Sequence, residues 1–265
     1  MKRVTPAVFL IAETTINTVG LEGYLQATEN NEFLETIAEA RENGLGDQEV
    51  LSSFFAKLCY KSLTLGKNQN VQKLRTIRNN IISTIESTHG SVFEHAGFSF
   101  VFHNVSRILT HELVRSRIGV AYSQESGRYC QIPKIGPGMY LPSCIAENPE
   151  AVAIFEDSVD SINIKVQELY DLFGINDQNF TEKKALTSAI RRIAPNGMAN
   201  EIGFSANLRS LRYIINMRTS RHAEEEIRFV FAKVADIIFD RCPLLFCDGE
   251  KTAHNGITEW KLPHI

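Results

Sequence analysis

The chain predicts an α+β fold, a small set of strands flanked by long helices. Three observations predict it. Ala7 to Ala12 is a continuous apolar run of strand length. Gly97 to His103 (GFSFVFH) is aromatic-rich and alternates, which is the two-residue period of a sheet. Elsewhere, apolar residues recur at helical spacing over stretches too long for strands. With 265 residues, the chain can bury one sizeable core. The expectation is a single domain, 1–265, with a helical subdomain at about 147–195.

The first run, Ala7 to Ala12, reads as a strand covered on both sides. Residues 14–31 are polar, with a short helix expected at Leu21 to Ala27. Asn31 to Arg41 is helical and stops at Asn43-Gly44. Asp47 to Leu65 repeats Val50, Leu51, Phe54, Phe55 and Leu58 at helical spacing and ends at Gly66. Val71 to Thr88 does the same through Leu74, Ile77, Ile81 and Ile85. These three helices are expected to layer over the first strand. Cys130 to Pro142, rich in Pro and Gly, reads as an irregular crossing. Asn148 to Leu172 is a long amphipathic helix, and Asn179 to Ala194 another, with Thr181 as its N-cap and Pro195 beyond its end. Met198 to Ser205 reads as a strand, Asn207 to Met217 and His222 to Arg241 as helices. The tail from Cys242 shows no clear period and is expected to wrap another part of the chain or a neighbouring subunit.

Hydrophobic residues make up 43% and charged residues 22%, the balance of a globular protein. A net charge of −3 gives no general attraction to nucleic acid or acidic membranes, so any anion site must be a local concentration of arginine. The N-terminal apolar run is too short to span a bilayer. Five scattered cysteines without a CxxC argue against a disulfide framework or zinc site and for reduced thiols in the cytoplasm.

Arginine concentrates in Val105 to Tyr129, which holds Arg107, Arg115, Arg117 and Arg128. Arg107, His111 and Arg115 fall at i, i+4 and i+8, on one helix face. Ile118 to Gly127 is small and polar and reads as a loop. A helix end feeding an Arg/Ser/Gln loop suits an anionic ligand, because guanidinium forks match phosphate bidentately. The residue types alone leave this reading open beside that of a solvated basic face. A second cluster comprises Arg191, Arg192, Arg209, Arg212, Arg218, Arg221 and Arg228. Along the helix from Asn207, Arg209, Arg212 and Asn216 share one side, and Arg218 projects with the apolar set. A cation aimed inward is costly unless paired or ligand-bound; the other reading of Arg218 is a helix C-cap.

Several chemistries are excluded. The chain has no P-loop, no strand-linked GxGxxG, and only the first half of HExxH, since Arg115 stands where the second zinc ligand would be. No metal site is expected, and no cysteine sits in an activating context.

The blocks AKLCYKS (56–62), HGSVFEHAGFSF (89–100), VSRILTHELVRSR (105–117), YSQESGRY (122–129), RRIAP (191–195) and NLRSLRYIINMRTSRHAEEEIR (207–228) together resemble the flavin-dependent thymidylate synthase (ThyX) family. The resemblance spans most of the chain. The family signature is an Arg-His-Arg triplet, seven residues, then serine. Here Ser116 replaces the triplet's histidine, and eight residues separate Arg117 from Ser126.

The resemblance implies a ThyX-type fold, a central mostly antiparallel sheet flanked by long helices. It implies reductive methylation of dUMP to dTMP, with methylenetetrahydrofolate as carbon donor and FAD, reduced by NADPH, as hydride source. It also implies a homotetramer with shared active sites. Arg115, Ser116 and Arg117 would touch FAD, with Gln124 near flavin and nucleotide. Glu112, Leu113, Val114 and Arg115, and Ser126, Gly127 and Arg128, would embrace dUMP. Arg191 matches a nucleotide-contacting arginine, and Arg218 the arginine that polarises the uracil ring. Asn207, Arg209, Arg212 and His222 match flavin-side positions. His95 matches a histidine near the flavin ring, and Gly97 a position that often holds a flavin-contacting serine. Two alternatives stay open: a relative acting on another pyrimidine nucleotide, allowed by the departures, and a non-catalytic nucleotide- or RNA-binding relative using the arginine clusters.

Overall fold

The computed structural model describes residues 1–130 and 138–264. Most of the segment expected as an irregular crossing lies outside the described residues. The described elements are β1 (Lys2–Arg3), β2 (Ala7–Glu13), α1 (Thr18–Ala27), α2 (Glu32–Glu42), α3 (Asp47–Cys59), α4 (Ile77–Glu86), β3 (Gly97–Ser106), α5 (Arg107–Leu113) and β4 (Val120–Gln124). They continue with β5 (Gly138–Met139), α6 (Ser143–Ala146), α7 (Pro149–Leu172), α8 (Phe180–Ile190), β6 (Ala199–Asn207), α9 (Leu208–Arg218), α10 (Glu225–Arg241), β7 (Glu250–His254) and β8 (Ile257–Lys261).

The central sheet is four-stranded and antiparallel, in the order β2-β3-β6-β4. Alternation in β3 sends Phe98, Phe100 and Phe102 to one face, where they are buried with Ile202 and Phe204 of β6. Phe231 of α10 meets Phe102 and Phe204 there, with ring centroids 5.8 and 6.0 Å apart, so this helix backs the sheet. The other face carries Ser99, Val101, His103, Gly203, Ser205, Ala121 and Ser123, all half-buried or exposed.

Four expectations need correction. β2 is an edge strand, and Phe9 is 51% exposed, so the run is not covered on both sides. The helix against β2 is α10; α2, α3 and α4 pack mainly on one another and on the turn at Gly90–His95. The loop expected at Ile118 to Gly127 contains β4, paired with β6 from Val120↔Ala206 to Gln124↔Ile202. Its Val-Ala-Tyr-Ser-Gln sequence alternates, and pairing outweighs its polar composition. The N-cap of α8 is Asn179, whose side chain accepts from the Thr181 and Glu182 amides, rather than Thr181.

The tail folds back as the β7–β8 hairpin against α9 and α10. Asn255 and Gly256 take positive φ of 53° and 73°, the geometry of a two-residue hairpin turn. α7 and α8 share a smaller apolar cluster around Val166, Tyr170, Ile175, Ile190 and Met198. Among the described residues, no helix is long and apolar enough to cross a membrane.

Candidate active site

Ser106 opens the site. Its hydroxyl accepts from the Leu109 amide and caps α5 at 3.1 Å. It is held in turn by Glu226, whose carboxylate accepts from the Ser106 amide at 2.7 Å and from the hydroxyl. Burial pushes the Glu226 carboxyl up to about 7, against the two hydrogen bonds from Ser106. At its other end α5 stops at Leu113, which is buried, and Val114. The Tyr122 hydroxyl donates to the carbonyls of Leu113 at 2.9 Å and Ser116 at 2.7 Å, tying β4 to that end. Burial raises the Tyr122 phenol to about 12, eased by the nearby Arg218 charge.

The Arg115–Arg117 turn lies against the start of α9. Gly119, at φ +66°, accepts at its carbonyl from the Asn207 backbone amide, and the Ser210 hydroxyl donates to the Ile118 carbonyl. A Cβ at Gly119 would fall 2.3 Å from the Asn207 side-chain Nδ2, and the positive φ disfavours any other residue, so glycine is required there. Arg115 and Arg117 are exposed, and neither makes a side-chain hydrogen bond or ion pair among the described residues.

Arg128 and Arg191 are likewise exposed and make no such bond. The Ser126–Arg128 turn is narrow. A Cβ on Gly127 would lie 3.5 Å from Arg107 Nη2 and 3.6 Å from Arg191 Cδ, so two guanidinium-bearing side chains flank it. Arg107 was in the cluster read from sequence but had no assigned role. Its Nη2 also donates to the Glu125 carbonyl at 3.4 Å. Gln124 is held by its own network, donating to Thr110 Oγ1 at 3.0 Å and Asn200 Oδ1 at 2.9 Å.

Arg218 is largely buried and pairs with Glu112, Nη1 to Oε2 at 2.9 Å, and also donates to the Glu112 carbonyl. The pair borders a cleft of about 840 Å³ with Arg115, His222 and Glu224, and the β7–β8 hairpin supplies its far wall through Glu259 and Trp260. That wall was not legible in the sequence, because no local feature of the tail identifies what it packs against.

His95, Gly97 and Asn207 border a second cleft of about 640 Å³ on the open face of the sheet, floored by Ser99, Ala121 and Ser205. The His95 ring stacks on Phe55 with centroids 3.7 Å apart. A Cβ on Gly97 would fall 2.6 Å from the Ala206 carbonyl oxygen, so close strand pairing demands glycine. Asn207 caps α9 through the Ser210 amide. Arg209 pairs with Glu94 at 2.5 Å. Arg212 is buried: its guanidinium binds the Asp248 carboxylate at 3.0 and 2.8 Å, the His264 carbonyl at 2.7 Å, and the Leu245 carbonyl.

Most of the site residues gather in three places in one chain, while Gln124, Arg209 and Arg212 are held by other partners. Arg107, Ser126–Arg128 and Arg191 surround one turn. Glu112, Arg115, Arg218 and His222 border the first cleft, and His95, Gly97 and Asn207 the second. The second cleft suits a flavin: small residues leave its floor flat, a histidine ring stands at its side, and the unpaired Arg115 and Arg117 lie on the turn anchored to Asn207.

Residues 43–244 match the family model described as thymidylate synthase complementing protein. The chain is 31% identical to the flavin-dependent thymidylate synthase of Mycolicibacterium gilvum, over 79% of this chain and 83% of that protein. It is 32% identical to that of Mycolicibacterium vanbaalenii, over 76% and 79%. For Corynebacterium glutamicum the figures are 28%, 82% and 86%. Its fold is similar to that of the UMP/dUMP methylase PolB from Streptomyces cacaoi bound with 5-Br dUMP, with a TM-score of 0.64 over 93% of this chain and 97% of that one at 16% identity. The arginine-lined turn, the Glu112–Arg218 cleft and the sequence matches lead to one conclusion: this chain belongs to the flavin-dependent thymidylate synthase family.

Proposed function

We propose that the chain converts dUMP to dTMP, using methylenetetrahydrofolate as carbon donor and NADPH to reduce a bound FAD. One observation carries this reading: Arg115, Arg117, Arg128 and Arg191 are exposed guanidiniums with no carboxylate partner among the described residues of a net-acidic chain. A nucleotide phosphate brings about −1.5 to −2 charges that must leave water. Arg128 and Arg191, with the Ser126 hydroxyl, compensate that loss through charge-assisted hydrogen bonds of roughly 1.5–3 kcal/mol each.

Arg218 performs the electrostatic work at the base. It is always protonated, and its Glu112 pairing uses only part of its five N–H donors. In a half-dry cleft those remaining donors stabilise negative charge that develops on the uracil ring. Tyr122, kept neutral by burial, fixes the end of α5 and so the position of Glu112. Glu112 orients Arg218, and His222 lines the same cleft. When bound, the flavin supplies the hydride that completes the methyl group, and the protein supplies orientation. No enzyme nucleophile is needed.

The three groups of site residues are joined in a homotetramer. The open sheet face, with its small residues and exposed Phe9, is a surface for a second copy, whose residues complete each site. The test is dTMP formation from dUMP in the presence of FAD, NADPH and methylenetetrahydrofolate; absence of product from folded, flavin-loaded protein contradicts the reading. A second reading has a specific support in Ser116, which removes an imidazole from the triplet: a different pyrimidine nucleotide is the substrate. Competition of UMP against dUMP for the same site decides between them.

A further inference from the structure

One further cavity lies apart from every position assigned above except Arg209. It measures about 1000 Å³ and is bordered by α3, α4 and the segment between them. Its lining carries Lys57, Lys73, Arg75 and Arg209, and no Asp or Glu. In a chain of net charge −3, a concave lining of one sign is the electrostatic footprint of an anion site.

Lys57 strengthens the case. It is 2% exposed, and its ammonium donates to the Arg75 carbonyl, with no carboxylate within ion-pair distance among the described residues. Burial, with help from the Arg75 charge, pulls its pKa down to about 8. A buried cation without a counter-charge costs stability that a bound anion would restore. The lining also carries neutral polar groups, including Asn68, Asn70 and Gln72, among small apolar residues such as Ala56 and Val71. Tyr60 and His89 stand at the wall as a hydrogen-bonded pair, 3.2 Å from Oη to Nδ1. The cavity also abuts the flavin-side cleft. Arg209 borders the one and Glu94 the other, and the two side chains are joined at 2.5 Å.

We infer that this cavity holds the polyanionic end of an extended co-substrate whose reactive end reaches the flavin-side cleft. The identity of the co-substrate rests on the proposed function; the anion site itself rests on the lining. Two co-substrates carry such an end, the phosphates of the nicotinamide dinucleotide and the glutamate carboxylates of the folate. Both present several anionic oxygens on a flexible stem, which amide and ammonium donors can surround.

The experiment uses the full chain and two probes, adenosine 2′,5′-bisphosphate and triglutamate, titrated calorimetrically. Lys73 and Arg75 are exposed, so a Lys73→Glu/Arg75→Glu double variant reverses the charge at the mouth without touching the core. One probe should bind the wild type, and the double variant should weaken it by at least about tenfold. Binding of the bisphosphate assigns the cavity to the reductant, and binding of triglutamate to the carbon donor. The inference is overturned if neither probe binds the wild type, or if the double variant binds both as tightly. Should the reversal disturb folding, Lys73→Gln reads the same loss at smaller amplitude, and unchanged affinity there also overturns it. Titrating dUMP on the same samples separates the two proposals. A wild type that binds the probe but not dUMP refutes the proposed function and leaves the anion cavity standing.

Discussion

Two sets of arginines divide the molecule. Arg115, Arg117, Arg128 and Arg191 are exposed and unpaired among the described residues, while Arg209, Arg212 and Arg218 each hold a carboxylate of their own chain. The first set contributes little to the fold and carries charge available to a ligand. The second set is where folding and function share the same side chain, and its members differ by burial. Arg212 is closed in by Asp248 and two carbonyls, whereas Arg218 faces a cleft with donors to spare. The difference teaches that arginine content alone does not locate a site; what matters is whether the charge is already satisfied.

The sharpest break comes at Arg212. Arg212→Ala leaves the largely buried Asp248 carboxylate without its cation, and should cost about 3–5 kcal/mol in urea unfolding. A cost near zero would move Arg212 into the ligand-facing set. Next is Arg218→Ala, which should fold normally but lower dTMP formation by about a hundredfold or more, the usual consequence of removing a donor aimed at developing charge. Retained turnover in a steady-state assay would make Arg218 a helix cap and no more. Third, Arg128→Ala should leave the melting temperature unchanged and weaken dUMP binding by roughly tenfold to a hundredfold, measured calorimetrically. A changed melting temperature with unchanged affinity would reverse the division.

Glu226 tests the buried side by pH. Its ordinary value is 4.5 and its folded value about 7. A raised folded pKa means the carboxyl favours folding when protonated. That contribution is complete below about 4.5 and is lost as pH rises through 7. Glu226→Gln should therefore match the wild type near pH 5 and exceed it at pH 8 by on the order of 1–2 kcal/mol. Equal pH profiles would remove the penalty assigned to burial. The smallest effect belongs to the exposed Arg209–Glu94 pair, where a double-mutant cycle should give no more than about 1 kcal/mol of coupling.

The sequence made some of this legible and hid the rest for physical reasons. The helices announced themselves through periodic apolar residues with caps, as at Asn148, which caps α7, and Asn207, which caps α9. β3 was legible because its aromatics alternate. β4 was hidden because its outward positions are Ala and Ser, and composition outweighed period. The tail hairpin carried a readable signal in Asn255-Gly256, although its wall-forming contact did not. At the site, the Arg107–Arg128 stretch was legible as a concentration of charge. The partners that distinguish Arg212 from Arg128 were not, because Asp248 lies 36 residues from Arg212 and nothing local links them. Likewise Arg107 and Arg191 meet at Gly127 only through the fold.

The most direct test of the division is dUMP affinity across three proteins: wild type, Arg128→Ala/Arg191→Ala, and Arg241→Ala, an exposed arginine already paired with Glu13. The unpaired-guanidinium account predicts a loss of at least about a hundredfold in the double variant and wild-type affinity in Arg241→Ala. Equal dUMP binding by all three proteins would contradict it.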